Sequence, residues 1–392
     1  MNTSRANLID QFTQLFGKGG DIRIVRAPGR VNLIGEHTDY NDGYVFPMAI
    51  ESEVRLIYRK RRDNIVRIAS TLYPNQIVEF SVADPIKRGV EAWANYVRGV
   101  AAGLVESGLH LCGMEALYTN TLPPGGGLSS SAAMQVSTAL CFLSLMNQSM
   151  DRMKLARLCQ RAENNFVGLP CGIMDQMIVA TAKAGHATLF DCRTLHSTYV
   201  PVQPENVRVV ICNSMVKHEL TGSEYADRKK ECETGVAFLK KKWANIMALR
   251  DATMDQLNAA KSEIPALYFK RCRHVISENG RCLEAADCLQ KQDYRRFGEL
   301  MVQSHHSLRD DYQVSCDELD FLVNTAMQIP GVYGARMTGG GFGGCIVALC
   351  KVDAAEQLES HLRTAYSKAY KIEPTIFSTI ASEAASEVID ED

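Results

Sequence analysis

Pro123-Pro124-Gly125-Gly126-Gly127-Leu128-Ser129-Ser130-Ser131, followed by an apolar, helix-compatible run over residues 132–146, is the stretch around which the chain is organised. Three successive glycines let a backbone approach a bulky anion without interference from Cβ atoms. The serines stand where a helix starts, and a helix N-terminus presents unpaired N–H groups and the positive end of its dipole. That combination suits a polyphosphate, with Gly125, Gly126, Gly127, Leu128, Ser129, Ser130 and Ser131 as the candidate contacts. No Gly-Lys-Ser/Thr closes the glycine run, which excludes a P-loop. The Lys and His-Arg-Asp sets of a protein kinase are missing as well. By itself the stretch also fits a plain glycine-rich turn ahead of a buried helix, so the functional reading depends on partners elsewhere.

At 392 residues the chain is long enough for two domains, each with its own core. A formal charge of −2 gives no electrostatic basis for binding nucleic acid or an acidic membrane. The 13 cysteines are scattered from Cys112 to Cys350 and form no CxxC pair, and several lie inside apolar runs. They read as reduced, buried thiols rather than a disulfide framework or a zinc site. Neither a signal peptide nor a membrane span is evident, so a cytoplasmic enzyme is expected.

Residues 6–16 read as a short amphipathic helix and residues 22–27 as a strand, with Pro28-Gly29 turning the chain. Arg30-Val31-Asn32-Leu33-Ile34-Gly35-Glu36-His37-Thr38-Asp39-Tyr40 then sets Arg30, Glu36, His37 and Asp39 within ten positions of one another. Such varied polar groups beside an apolar segment supply the convergent donors and acceptors that a small polyol needs. Residues 54–58 and 65–68 read as strands, and a helix is expected from about 92 to 105. Trp93, at its start, suits a core position and could also flank an adenine. Asp151 caps a helix through residue 166 that carries Glu163. A lone Glu there is ordinarily solvated unless it meets a partner such as bound Mg²⁺.

Gly168-Leu169-Pro170-Cys171-Gly172-Ile173-Met174-Asp175-Gln176 breaks the chain and then places Asp175 in an apolar setting. Helix capping and proton transfer both account for a carboxylate at that position. Residues 186–192 and 207–212 read as strands around Pro201 and Pro204, where a domain change is expected. A charged helix over 224–243 carries Tyr225, and residues 264–327 are mainly helical. His305-His306 lacks a second ligand cluster, so no metal is expected there. Thr338-Gly339-Gly340-Gly341-Phe342-Gly343-Gly344 contains a formal GxGxxG. A β-branched run follows it, so a strand is expected in place of the dinucleotide-binding helix. A second backbone loop meeting the first around one anion fits instead. The acidic end, residues 387–392, reads as frayed.

Residues 29–40, 125–132, 171–176 and 338–344, in this order, resemble the galactokinases of the GHMP small-molecule kinase superfamily. The match spans nearly the whole chain; residues 29–40 are its most specific part, and Glu36-His37-Thr38-Asp39 within them separates galactose from the mevalonate and homoserine relatives. The resemblance implies a two-domain α/β (α+β) fold. Residues 1–205 would form a ribosomal-protein-S5-like domain and residues 206–392 an α+β domain, with the active site between them. It implies that Glu36, His37, Thr38, Asp39 and Tyr225 hold galactose, with Gly172 close by. Residues 125–131 would wrap the ATP phosphates, Ser131 and Glu163 would hold Mg²⁺, and Trp93 would lie near the base. Asp175 would take the anomeric hydroxyl proton while Arg30 stabilises the transferring phosphoryl charge. The expected partner is the sugar alone, with no nucleic acid or membrane, and the chain acting as a monomer. The alternatives are a kinase for N-acetylgalactosamine or another sugar, and a galactose sensor without turnover. The intact serine loop and Asp175 favour catalysis over sensing. The acidic, glycine-free end departs from the family pattern.

Overall fold

The computed structural model describes residues 4–123, 125–217 and 221–389, so Pro124 of the glycine stretch and the last three acidic residues lie outside the described part. α1 (Arg5–Phe16) buries Leu8, Phe12 and Phe16, about one residue per turn, and stops at Gly17. β1 (Arg23–Asn32), β2 (Tyr44–Val45), β3 (Pro47–Lys60), β4 (Ile65–Ser70) and β5 (Tyr73–Ser81) precede α2 (Ala94–Glu106) and β6 (Met114–Asn120). Helices α3 (Ser130–Leu145), α4 (Arg152–Arg161) and α5 (Met174–Thr181) come next, with a π-helical extension of α4 over Ala162–Val167. β7 (His186–Asp191), β8 (His196–Pro201) and β9 (Val207–Lys217) lead into α6 (Thr221–Lys242) and α7 (Met254–Ala259). Three longer helices follow: α8 (Ala266–Gln290), α9 (Tyr294–Ser307) and α10 (Asp317–Ala326). β10 (Val332–Thr338), β11 (Gly343–Lys351), α11 (Ala355–Tyr370), β12 (Thr375–Thr379) and β13 (Ser386–Glu387) complete the chain.

Six strands form the first sheet in the order β13-β1-β3-β6-β4-β5, antiparallel except where β4 meets β6. Alternation divides its faces. Ile24, Ile57 and Leu117 pack under α1, whereas Val25, Leu56 and Tyr58 belong to the main core. On that second face α3 lies against β1 and β3, flanked by α2, α4 and α5. α3 is buried on nearly every side, from Ala132 and Gln135 to Phe142 and Leu145. A helix so enclosed holds its N-terminus rigidly. A second sheet, β10-β11-β9-β12, forms its own core with α6, α8, α10 and α11. The short sheet β2-β7-β8 completes the architecture, and among the described residues no helix is long and apolar enough to cross a membrane.

Two local readings of the sequence are corrected. Pro28-Gly29 does not turn the chain, because β1 runs straight through it while its pairing jumps from Pro28 opposite Glu53 to Arg30 opposite Ala49. The glycine serves close approach instead. A Cβ on Gly29 would lie 2.3 Å from Leu122 Cδ2 and 2.8 Å from the Leu128 carbonyl, and the Arg30 N–H donates to that same carbonyl at 3.1 Å. The end of the chain is not frayed at Glu387, which pairs in β13 with Val25 of β1. Before it, the N–H groups of Ser382, Ala384 and Ala385 donate to the carbonyls of Ala49, Ala182 and Val179. The chain therefore changes sheets at β9 but returns to the first sheet at its end.

Candidate active site

The loop after β1 carries Glu36, His37 and Asp39, with His37 at a left-handed φ of 60° and a short 3-10 turn over Asp39–Asn41. These three side chains line a cavity of about 330 Å³ together with Arg30, Gly172, Asp175, Tyr225 and the glycines 339 and 340. Asp175 comes from the first turn of α5 and Tyr225 from the start of α6. Gly172 is required by proximity, since a Cβ there would fall 1.6 Å from Asp39 Oδ2.

Burial raises the Asp39 carboxyl to about 7, and the charge of Asp175 adds to the rise. Burial also raises Glu36, against the pull of Arg336, whose Nη1 lies 3.0 Å from Glu36 Oε2. His37 is lowered to about 3 by burial and then by His274 and Arg228, which leaves its ring neutral at pH 7. Its Nδ1 lies 2.8 Å from the Tyr40 hydroxyl, and that hydroxyl lies 2.7 Å from Tyr312 Oη. The cavity thus offers carboxylates, a neutral imidazole and a phenol to a neutral, hydroxyl-rich ligand.

Next to it lies a second cavity of about 330 Å³, lined by Leu122, the loop 125–131 and, from the opposite side, Thr338 and glycines 340, 341, 343 and 344. α3 starts at Ser130, behind Ser129 in a left-handed conformation, so its free N–H groups open at this cavity. The second glycine loop is the bend between β10 and β11, so a strand follows it and no dinucleotide-binding helix does. Both backbone loops face one space, an arrangement suited to an extended polyanion.

Arg30 and Asp175 line both cavities. Arg30 donates from Nε to Asp175 Oδ1 at 2.8 Å, from Nη2 to Oδ2 at 2.7 Å, and from Nη1 to the Gly127 carbonyl at 2.6 Å. Burial works against the arginine charge, but the attraction and hydrogen bonds of Asp175 outweigh it and hold the Arg30 pKa above its ordinary value. The Ser129 hydroxyl donates to Asp175 Oδ2 at 2.5 Å. Its side chain is therefore committed to the carboxylate, and the residue borders the second cavity.

Two other expected contacts go elsewhere. Thr38 is fully buried and its hydroxyl lies 2.9 and 2.6 Å from the Gly35 and Tyr44 carbonyls, so it shapes the loop and does not line the first cavity. Trp93 lies in the core, stacked on Tyr73 with its Nε1–H donated to Gln76, and lines neither cavity. Ser131 borders the second cavity. Glu163 is buried, accepts Gln176 Nε2 at 2.7 Å, and makes no ion pair among the described residues. Burial and the charge of Asp175 push it up to about 7. A buried carboxylate without an ion pair among the described residues has the chemistry of a Mg²⁺ ligand, although Glu163 lines neither cavity; Ser131, which borders the second, carries a hydroxyl oxygen of the same hard type. Arg336 and Tyr312 were not legible as site residues, because each reaches the loop from a distant part of the chain, whereas Tyr40, three positions from His37, stood inside the motif over residues 30–40 without being singled out.

Three family models match the chain: the galactokinase galactose-binding signature over residues 10–60, the GHMP kinase N-terminal domain over 95–183 and the GHMP kinase C-terminal domain over 285–368. A galactokinase of Roseiflexus sp. (strain RS-1) is 46% identical over 384 residues, which is 98% of this chain and 97% of that relative. The Bos taurus galactokinase is 44% identical over 362 residues, covering 91% and 90% of the two chains. The crystal structure of Lactococcus lactis galactokinase complexed with galactose superposes with a TM-score of 0.94 at 33% identity, over 98% of this chain and 99% of the other. With its signature loop, both domains and its full length matched, the chain belongs to the galactokinase family.

Proposed function

We propose that Asp175 is the general base in the phosphorylation of α-D-galactose at its anomeric hydroxyl, with Arg30 stabilising the transferring phosphoryl group of ATP. Galactokinase activity itself follows from the family. The observation that carries the residue roles is the Arg30–Asp175 pair on the wall shared by the two cavities. A sugar in one and a triphosphate in the other would meet at this pair, the only side chains common to the two linings, which otherwise share only the backbone of Gly340.

A sugar hydroxyl is a poor nucleophile at neutral pH, and phosphate oxygens repel its lone pairs. Glu36, His37, Asp39 and Tyr225 bind the sugar and orient its anomeric hydroxyl toward Asp175. Arg30 and Ser129 occupy three acceptor directions of Asp175 and fix the carboxylate. Phosphoryl transfer passes through a loose transition state, so a positioned carboxylate can accept the proton as the new P–O bond forms. The N–H groups at the start of α3 and in the loop 125–131 bind phosphate oxygens. Ser131 and Glu163 would hold Mg²⁺, which neutralises phosphate charge when bound. Thirteen free thiols suit a reducing cytoplasm, and the chain is taken to act as a monomer.

The test is ADP release from Mg-ATP across galactose, N-acetylgalactosamine, glucose and arabinose, with Asp175→Asn beside the parent. The variant is expected to stay folded, at a lowered melting temperature because buried Arg30 loses its carboxylate partner, and to lose about 10²–10⁴-fold in kcat, the usual loss with a positioned base. Near-normal turnover in Asp175→Asn would remove it from the base role.

A further inference from the structure

α8 passes beneath the sugar loop and presents His274, Glu278, Asn279 and Cys282 to it, spaced i, i+4, i+5 and i+8 along one face. Glu278 is fully buried. Its Oε1 accepts the Gly35 N–H at 2.9 Å, the Glu36 N–H at 3.2 Å and the Ser304 hydroxyl at 2.6 Å. Its Oε2 accepts Arg281 Nε at 2.7 Å. One turn earlier, His274 Nε2 lies 3.1 Å from the Glu36 carbonyl and Nδ1 lies 2.9 Å from the Ser307 hydroxyl. A carbonyl can only accept, so Nε2 carries the proton and Nδ1 accepts from the serine. Next to Glu278, Asn279 Oδ1 accepts the Tyr44 N–H at 2.9 Å.

The loop at Gly35 and Glu36 is irregular, so its N–H groups have no strand partner and need an acceptor from outside. One ionised oxygen serves both, and bonds of this charge-assisted kind are roughly twice as strong as neutral ones. Both backbone polar groups of Glu36 are thereby held by side chains from the other half of the chain. Glu278 itself does not line the sugar cavity.

We propose that Glu278 is a positioning residue for galactose: it fixes the backbone from which Glu36, His37 and Asp39 reach the sugar. This rests on the sugar occupying the cavity those residues line. Shortening Glu278 withdraws the acceptor from two buried donors; neutralising it keeps one amide oxygen for them but strips the charge from those bonds and turns an NH₂ toward Arg281. Either change loosens the loop while the phosphate cavity on the far side of Arg30 keeps its walls. The effect therefore falls on the sugar and spares ATP.

The experiment measures galactose affinity by calorimetry, KM for galactose and for ATP, kcat, and melting temperature for the parent, Glu278→Gln, Glu278→Asp, Glu284→Gln and Asp39→Asn. Losing hydrogen bonds to a charged group is expected to weaken galactose binding and raise its KM by roughly 10- to 100-fold in Glu278→Gln, with KM for ATP unchanged. Glu278→Asp, which keeps the charge but withdraws it by one methylene, should fall between. Glu284 is on the same helix but pairs with Arg296 at the surface, so Glu284→Gln should match the parent. Unchanged galactose affinity in a folded Glu278→Gln, or a fall in kcat alone with both KM values intact, overturns the proposal. If Glu278→Gln does not fold, Glu278→Asp decides on the same criteria. Unchanged galactose affinity in Asp39→Asn would instead overturn the placement of the sugar, which separates the two failures.

Discussion

At Asp39, burial and the neighbouring Asp175 charge hold the carboxyl at about 7, against about 3.9 for an unfolded chain. Between those values the folded, ligand-free protein binds the extra proton. Stability from this group is therefore fully present below about pH 4 and is lost as pH rises to 7. Asp39→Asn removes that dependence. The ligand-free variant should be more stable than the parent by on the order of 2–4 kcal/mol at pH 8, with the advantage shrinking toward pH 4. Urea melts at both pH values check it, and a pH-independent difference would place the stress elsewhere. The same variant should bind galactose less well, a conflict common at sites where function sets charge against burial. Asp39 was legible because its type and spacing already suggested a polyol contact. The neighbouring Thr38 was misread because the same motif gives no sign that its hydroxyl turns to the Gly35 and Tyr44 carbonyls.

β1 is the element on which the two ligand loops meet. Its Arg30 N–H takes the Leu128 carbonyl of the first glycine loop, and its Asn32 N–H takes Thr338 Oγ1 beside the second. Gly29 lets the first contact form. In Gly29→Ala the new methyl meets the Leu128 carbonyl, a backbone atom that cannot rotate aside, as well as the movable Leu122 side chain. Overpacking of this kind typically costs about 1–3 kcal/mol. Because the displaced group belongs to the phosphate loop, KM for ATP should rise more than KM for galactose. Steady-state kinetics with a parallel melt would show it, and an unchanged KM for ATP would mean that the loop absorbs the methyl elsewhere. Local propensity misassigned this element for a plain reason. Pro-Gly favours turns, and only the neighbouring loop makes the glycine necessary within a strand.

Across the whole molecule, the last described residues tie the chain back to its beginning. Segment 381–388 bonds to β1, β3 and α5, buries Ala381 and Ala385, and brings the Glu387 carboxylate to the hydroxyls of Ser144 and Tyr58. Ending the chain after Ile380 would expose that edge of β1 and leave these groups without partners. Such a truncation should lower stability by about 2–5 kcal/mol, judged from the usual effects of losing buried contacts and hydrogen bonds. A scanning-calorimetry shift too small to resolve would show the segment to be dispensable. The charged composition of the end suggested fraying because composition does not report a partner strand more than 350 positions away in sequence.

Residue chemistry alone pointed to parts of the candidate site, and the family resemblance supplied most of the roles. The glycine-serine stretch marked an anion loop at a helix start, the loop after β1 marked a polar ligand site, and Asp175 stood out as a carboxylate in an apolar setting. Periodicity likewise determined most helices and strands, since burial on one face leaves a repeat in the chain. Only the tertiary structure decided how these parts serve one another. It set Arg30 and Asp175 on the shared wall, turned Ser129 toward Asp175, stacked Trp93 in the core and placed Glu278 under the sugar loop. A side chain's partner and burial depend on segments that the fold brings together from distant parts of the chain, and no local pattern carries that information.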